Sequence, residues 1–198
     1  MINYLAHLHL GGQEPQQLLG SLYGDFVKGT LAGHFPLQTE EAIRLHRQID
    51  VFTDSHPLVK RALGRFRVAR RRYAGIALDM FFDHCLARDW EHFADEPLEA
   101  FAKKVYVILK NEPALPERLA QIVPSIIRED WLGAYKDFPM IGHGLKVISQ
   151  RLSQPEGMFG VYEELSALYE PLSEDFQEFY PVLWQYAQAG LGASKTPQ

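Results

Sequence analysis

Sulfur chemistry is nearly absent from this chain, in which Cys85 is the single cysteine. One thiol excludes an intramolecular disulfide and a thiolate metal cluster, and it fits a reducing compartment. No segment approaches the roughly 20 consecutive apolar residues that span a bilayer. The opening residues 1–7 lack the basic and apolar pattern of a secretory leader. These absences predict a cytoplasmic protein without membrane contact. His-Glu-x-x-His, Gly-x-Ser-x-Gly and the phosphate-loop pattern are missing too, which takes weight from zincin, serine-hydrolase and P-loop chemistry. There is no convincing β alternation, internal repeat or low-complexity tract.

What is present is helical. The 198 residues, 46% of them hydrophobic and 23% charged, suffice for one soluble domain around one core. Leu98, Phe101, Ala102, Val105, Tyr106, Ile108 and Leu109 repeat with the spacing of an amphipathic helix. Glu14-Pro15 predicts a helix start, with Gly29 and Gly33 ending that helix. A second helix runs from Thr39 through Ile43, His46, Ile49 and Asp50 until Ser55-His56-Pro57 interrupts it. The chain then restarts as a basic helix. Residues 73–90 read as a central apolar helix, and 158–184 as helix with breaks or kinks at Pro171 and Pro181. The expected fold is all-α, a single-domain helical bundle over residues 1–189, with 190–198 a disordered tail.

His7, His9, His46, His56 and His84, five of the six histidines in the first 84 residues, share that stretch with Asp25, Asp50, Asp54, Asp79 and Asp83. On helices, His46 and Asp50 are one turn apart, and so are Asp79 and Asp83. Such pairs lie about 5–6 Å apart on one face, close enough to share a cation. Imidazole and carboxylate without thiolate suit Mn²⁺, Mg²⁺ or Fe²⁺. Asp79 and Asp83 lie among Leu78, Met80, Phe81 and Phe82, and a buried carboxylate must be paired, protonated or metal-bound. The residues alone lead to a helical, metal-dependent phosphohydrolase.

Charge is unevenly placed. The net charge is −5, yet Lys60–Arg72 carries seven cations, and no acid occurs between Asp54 and Asp79. A local basic segment on an acidic chain suits a discrete acidic partner better than a nucleic-acid track. The alternative is a solvated helix face.

Four runs then converge: Asn3-Tyr4-Leu5-Ala6-His7-Leu8, Gly24-Asp25-Phe26-Val27-Lys28-Gly29, the stretch from His46 through Asp50, Asp54 and His56 to Pro57, and Asp79-Met80-Phe81-Phe82-Asp83-His84. Together they closely resemble the bacterial acyl carrier protein phosphodiesterase family, itself distantly related to the HD superfamily of metal phosphohydrolases. The resemblance is strong to about Trp90 and weaker through Phe179-Tyr180-Pro181. Ser21 departs from the Asn common there, with altered hydrogen bonding to Asp25 as the expected consequence. The resemblance implies an HD-like architecture. It also implies hydrolysis of the phosphodiester between 4′-phosphopantetheine and a serine of holo-acyl carrier protein, with manganese favoured.

On this reading Asp25, His46, Asp50, Asp79, Asp83 and His84 form the metal shell, with Asp54 in or beside it. Asp25, Asp83, His84 and His7 are the expected catalytic residues. His7, His56 and Lys28 are candidates for contact with the phosphate or the leaving oxygen, against a plain capping or core role for the two histidines. Within the basic segment, Arg61, Arg65, Arg67 and Arg71 would dock the acidic carrier protein. Cys85 reads as a small core residue. The rival readings are an HD-like phosphohydrolase acting on a nucleotide and a non-enzymatic helical scaffold that binds an acidic protein.

Overall fold

A computed structural model describes residues 3–150, 152 and 155–193 of the chain. These residues form eleven α-helices with three short 3₁₀ turns, and no strand occurs among them. The all-α reading therefore stands. The helices that position the site come first: α1 (Tyr4–Leu10), α2 (Pro15–Phe26) and α3 (Leu37–Ser55). Pro15 occupies the first turn of α2, where its missing N–H costs nothing, and Glu14 and Gln17 close a capping box. The helix stops at Phe26, before Gly29 and Gly33, which take positive φ in the following loop.

α2 and α3 approach closely because α2 presents Gly20 and Gly24, one turn apart, to α3. A Cβ on Gly20 would overlap the Thr39 carbonyl oxygen, and one on Gly24 would overlap the His46 ring. Loop 27–36 runs back along α3. Arg47 bonds to its first residues at Val27 and Gly29, and Glu40 accepts the Gly33 amide.

The basic segment is not one helix. It divides between α4 (Pro57–Arg65), a 3₁₀ turn at Val68–Arg70 and the first residues of α5 (Arg71–Arg88). Arg67 consequently lies in the link between α4 and the 3₁₀ turn, and Arg71 begins α5. α5 is the central helix expected from its apolar content, and it packs against α1, α4 and the later helices. Beyond it come α6 (Leu98–Asn111), α7 (Glu117–Arg128), α8 (Trp131–Ala134), α9 (Phe138–Ser149), α10 (Val161–Ala167) and α11 (Tyr169–Ala193). Phe81, Phe101, Phe176, Phe179, Tyr180 and Trp90 fill the core between them.

Pro171 and Pro181 do not break the chain as expected. Pro171 falls in the first turn of α11, and Pro181 is accommodated within it. The break comes at Leu168, between α10 and α11. Residues 190–193 continue α11 rather than beginning a tail, and 194–198 lie outside the described residues.

Candidate metal centre

Three helices bring two imidazoles and two carboxylates together. His7 projects from α1, Asp25 from the last turn of α2, and His46 with Asp50 from one face of α3. The His7 and His46 rings stack, their centroids 3.5 Å apart and their planes 12° from parallel. Asp50 Oδ1 lies 3.2 Å from His7 Nε2, and Asp50 Oδ2 lies 3.4 Å from His46 Nε2. Asp25 Oδ1 lies 3.6 Å from His46 Nε2 on the side open to solvent. One ligand atom from each of His7, His46 and Asp50 falls within 4.8 Å of the other two.

The ring of His46 is oriented by the backbone. Its Nδ1–H donates to the Ser21 carbonyl oxygen at 2.7 Å, so in the neutral ring the lone pair is on Nε2, facing the carboxylates. Gly24 makes this possible, since any side chain there would overlap the imidazole. The Ser21 hydroxyl bonds back to the Gln17 carbonyl, not to Asp25.

The electrostatics favour positive charge at this cluster. Burial disfavours imidazolium at His46, but Asp25 and Asp50 outweigh it and push its pKa up to about 9. Burial, and then the charge on His46, hold His7 below its ordinary 6.5. Burial also opposes ionisation of Asp50, yet hydrogen bonds from His46 and His7 hold its carboxyl well below the usual range. His7 Nδ1 is buried with no hydrogen-bond partner among the described residues. The donor set fits a hard or borderline divalent cation: two imidazoles, two carboxylates and no sulfur.

Asp79, partly buried on α5, lies near this group. Burial raises its pKa, reinforced by the negative charges of Asp54, Asp83 and Asp50. Asp54 itself is exposed.

Asp83 and His84 are not brought into the cluster, because other groups already occupy them. Asp83 is fully buried and accepts the Leu5 and Ala6 amides at 2.8 and 3.0 Å, capping α1 from a distant helix. Burial pushes its carboxyl up to about 8 against those two bonds. His84 Nδ1 donates to the Tyr135 carbonyl, and its Nε2 accepts from the Tyr169 hydroxyl, each at 2.8 Å. Asp83 thus spends both oxygens inside the fold, and the group of converging ligand atoms found among the described residues includes neither it nor Asp79. Cys85 beside them is fully buried, and burial pushes its thiol up to about 12.

The phosphate and docking candidates divide in the same manner. Lys28 is exposed on loop 27–36 and forms no ion pair among the described residues. His56 caps α4, its Nδ1 accepting the Leu58 amide at 3.3 Å, and its ring packs against Phe52 and Phe179. Arg61 and Arg65 are turned inward onto Asp175, a fully buried carboxylate on α11, with contacts of 2.7–2.9 Å. Arg70 bonds Glu164 and the Phe159 carbonyl. Arg67 and Arg71 stay exposed; Arg71 makes one long bond to the Phe66 carbonyl.

Two contributors escaped sequence reasoning. The Ser21 carbonyl is a backbone atom and leaves no side-chain signal. Gly24 did leave one, the Gly20-x-x-x-Gly24 spacing one turn apart on a helix.

The family model described as acyl carrier protein phosphodiesterase matches residues 2–183. A relative from Yersinia enterocolitica, named acyl carrier protein phosphodiesterase, is 35% identical over 189 residues, covering 94% of this chain and 98% of that protein. One of the same name from Salmonella agona is 38% identical over 182 residues, covering 91% and 94%. No solved structure gives a significant match. Site geometry and sequence kinship lead to one identification: the chain belongs to the acyl carrier protein phosphodiesterase family.

Proposed function

We propose that this protein is a cytoplasmic, metal-dependent phosphodiesterase that hydrolyses the bond between 4′-phosphopantetheine and the serine of holo-acyl carrier protein. The products are apo-acyl carrier protein and 4′-phosphopantetheine. The convergence of His7, His46 and Asp50 ligand atoms within 4.8 Å carries this reading.

His7, His46 and Asp50 would hold the cation, with Asp25 completing the group from the open side. The donor set admits Mn²⁺, Mg²⁺ or Fe²⁺, and the family resemblance favours Mn²⁺. When bound, such an ion supplies Lewis-acid stabilisation of charge on a phosphoryl group and acidifies water. The chain does the rest. The Ser21 carbonyl fixes the His46 ring, and Asp50 aligns both imidazoles from one position. Lys28, the exposed cation three residues beyond Asp25, neutralises a phosphate oxygen. Asp54 adds negative field beside Asp79, whose own carboxyl is held toward its neutral form by burial. Arg67 and Arg71 attract the acidic carrier protein, raising the association rate more than the final affinity.

The test is the mass of holo-acyl carrier protein after incubation with the protein and Mn²⁺. Loss of the phosphopantetheine mass is expected, with His46→Ala slower by at least about 10³-fold, which is about 4 kcal/mol of barrier. No loss of mass, or cleavage confined to a panel of nucleotides, overturns the reading.

A further inference from the structure

Loop 27–36 leaves α2 after Phe26, the residue following Asp25, and α3 holds it from one side. Arg47, the residue after His46, donates from Nη1 to the Gly29 carbonyl and from Nη2 to the Val27 carbonyl, both at 2.9 Å. Val27 is the C-cap residue of α2, and its N–H already bonds to the Tyr23 carbonyl. One guanidinium thus closes a two-point clamp on either side of Lys28.

Seven residues earlier, two turns along α3, Glu40 takes the Gly33 amide at 2.7 Å and is itself bonded by Arg44 at 3.0 Å. The loop is pinned at both ends and open between them, where residues 28–30 and 32–34 are exposed. Gly29 adopts φ +79°, and a Cβ there would meet nothing within 4 Å. Its backbone turn, not packing, defines the path, so the Arg47 bonds are what hold this corner. The planar fork of a guanidinium reaches two carbonyls at once, which a lysine ammonium does not do with the same rigidity.

We propose that Arg47 is a positioning residue, whose clamp on the Val27 and Gly29 carbonyls fixes Lys28 beside Asp25 so that its ammonium meets the phosphate of the substrate. This rests on the phosphodiesterase reading above. It joins the two halves of the site through neighbouring residues of α3: His46 belongs to the cluster, and Arg47 holds the loop.

The experiment has two arms. In the first, hydrolysis of holo-acyl carrier protein is measured for wild type, Lys28→Ala, Arg47→Ala, Arg47→Lys and the Lys28→Ala/Arg47→Ala double variant. Each single alanine variant should lose about 10- to 100-fold in kcat/KM, the scale of a misplaced contact. If Arg47 acts through Lys28, the double variant should fall no more than about two-fold below Lys28→Ala, and Arg47→Lys should recover part of the loss. Losses that multiply in the double variant would overturn the proposal.

The second arm does not depend on activity. Limited trypsin digestion of the folded protein should cut after Lys28 at least about five-fold faster in Arg47→Ala than in wild type, with an unchanged thermal midpoint and cation stoichiometry. An unchanged cleavage rate means that the loop holds its place without Arg47, and the clamp is refuted. Wild type that leaves holo-acyl carrier protein intact would refute the proposed reaction, while the trypsin arm still decides the clamp.

Discussion

At His84 both ring nitrogens are spent, one on the Tyr135 carbonyl and one on the Tyr169 hydroxyl, and Asp83 beside it gives both oxygens to the amides that start α1. At His46 one nitrogen is fixed by Ser21, while the other faces Asp25 and Asp50 across 3.4–3.6 Å, and stacked His7 leaves Nδ1 unpartnered among the described residues. The two groupings have the same residue types in comparable helical settings, although Asp25 and Asp50 are partly exposed where Asp83 is fully buried. They differ in how much of their bonding capacity the chain itself consumes. A saturated grouping holds helices together, and an unsaturated one is left with capacity for a ligand.

The basic segment repeats the contrast, and the largest effect is expected there. Replacing Arg61 and Arg65 together by Ala strands the buried Asp175 carboxylate and should cost about 3 kcal/mol of stability. The same exchange at exposed Arg67 and Arg71 should stay within about 0.5 kcal/mol. Instead it should lower the hydrolysis rate several-fold at low ionic strength and leave it nearly unchanged at high salt. Chemical denaturation and salt-dependent kinetics check the two halves, and equal stability losses would erase the distinction.

Next comes Asp83→Asn, which keeps one acceptor oxygen for α1. It should lose about 1–2 kcal/mol in denaturant while binding the same amount of cation per folded molecule. Loss of the cation would move Asp83 into the binding group.

The smallest effect separates the groupings by pH. In chelator-treated protein, His46 is raised from 6.5 to about 9, so its contribution to stability is full below pH 6.5 and fades as pH rises through about 9. His84 has the opposite sign: burial lowers its pKa, so it costs stability as pH falls below 6.5. His46→Gln should flatten the alkaline decline, and His84→Gln should flatten the acid one. Unchanged slopes in both variants would contradict these assignments.

Helical periodicity and caps made much of this fold readable. The start of α2 at Pro15, the helix through His46 and Asp50, the restart at Pro57 and the helix from Leu98 all follow from local signals. Pro171 and Pro181 misled, because a proline near a helix start costs little and an interior one yields to tertiary packing. The site was half legible. His46 and Asp50 form an i, i+4 pair whose faces converge, whereas Asp79 and Asp83 form the same pattern and diverge in role. What separates them is the position of α1: its first amides, at Leu5 and Ala6, meet Asp83, while the next residue, His7, meets His46. That placement is tertiary, as are the inward turns of Arg61 and Arg65 toward a residue 110 or more positions away.

The central claim, that the unsaturated grouping holds the cation, is tested most directly by metal content. Chelated wild type, His46→Ala and His84→Gln are each reloaded with Mn²⁺, freed of excess, and assayed by elemental analysis alongside circular dichroism. Wild type and His84→Gln should retain stoichiometric manganese, and His46→Ala should lose it while staying helical. Retention by His46→Ala, or loss confined to His84→Gln, would contradict the account.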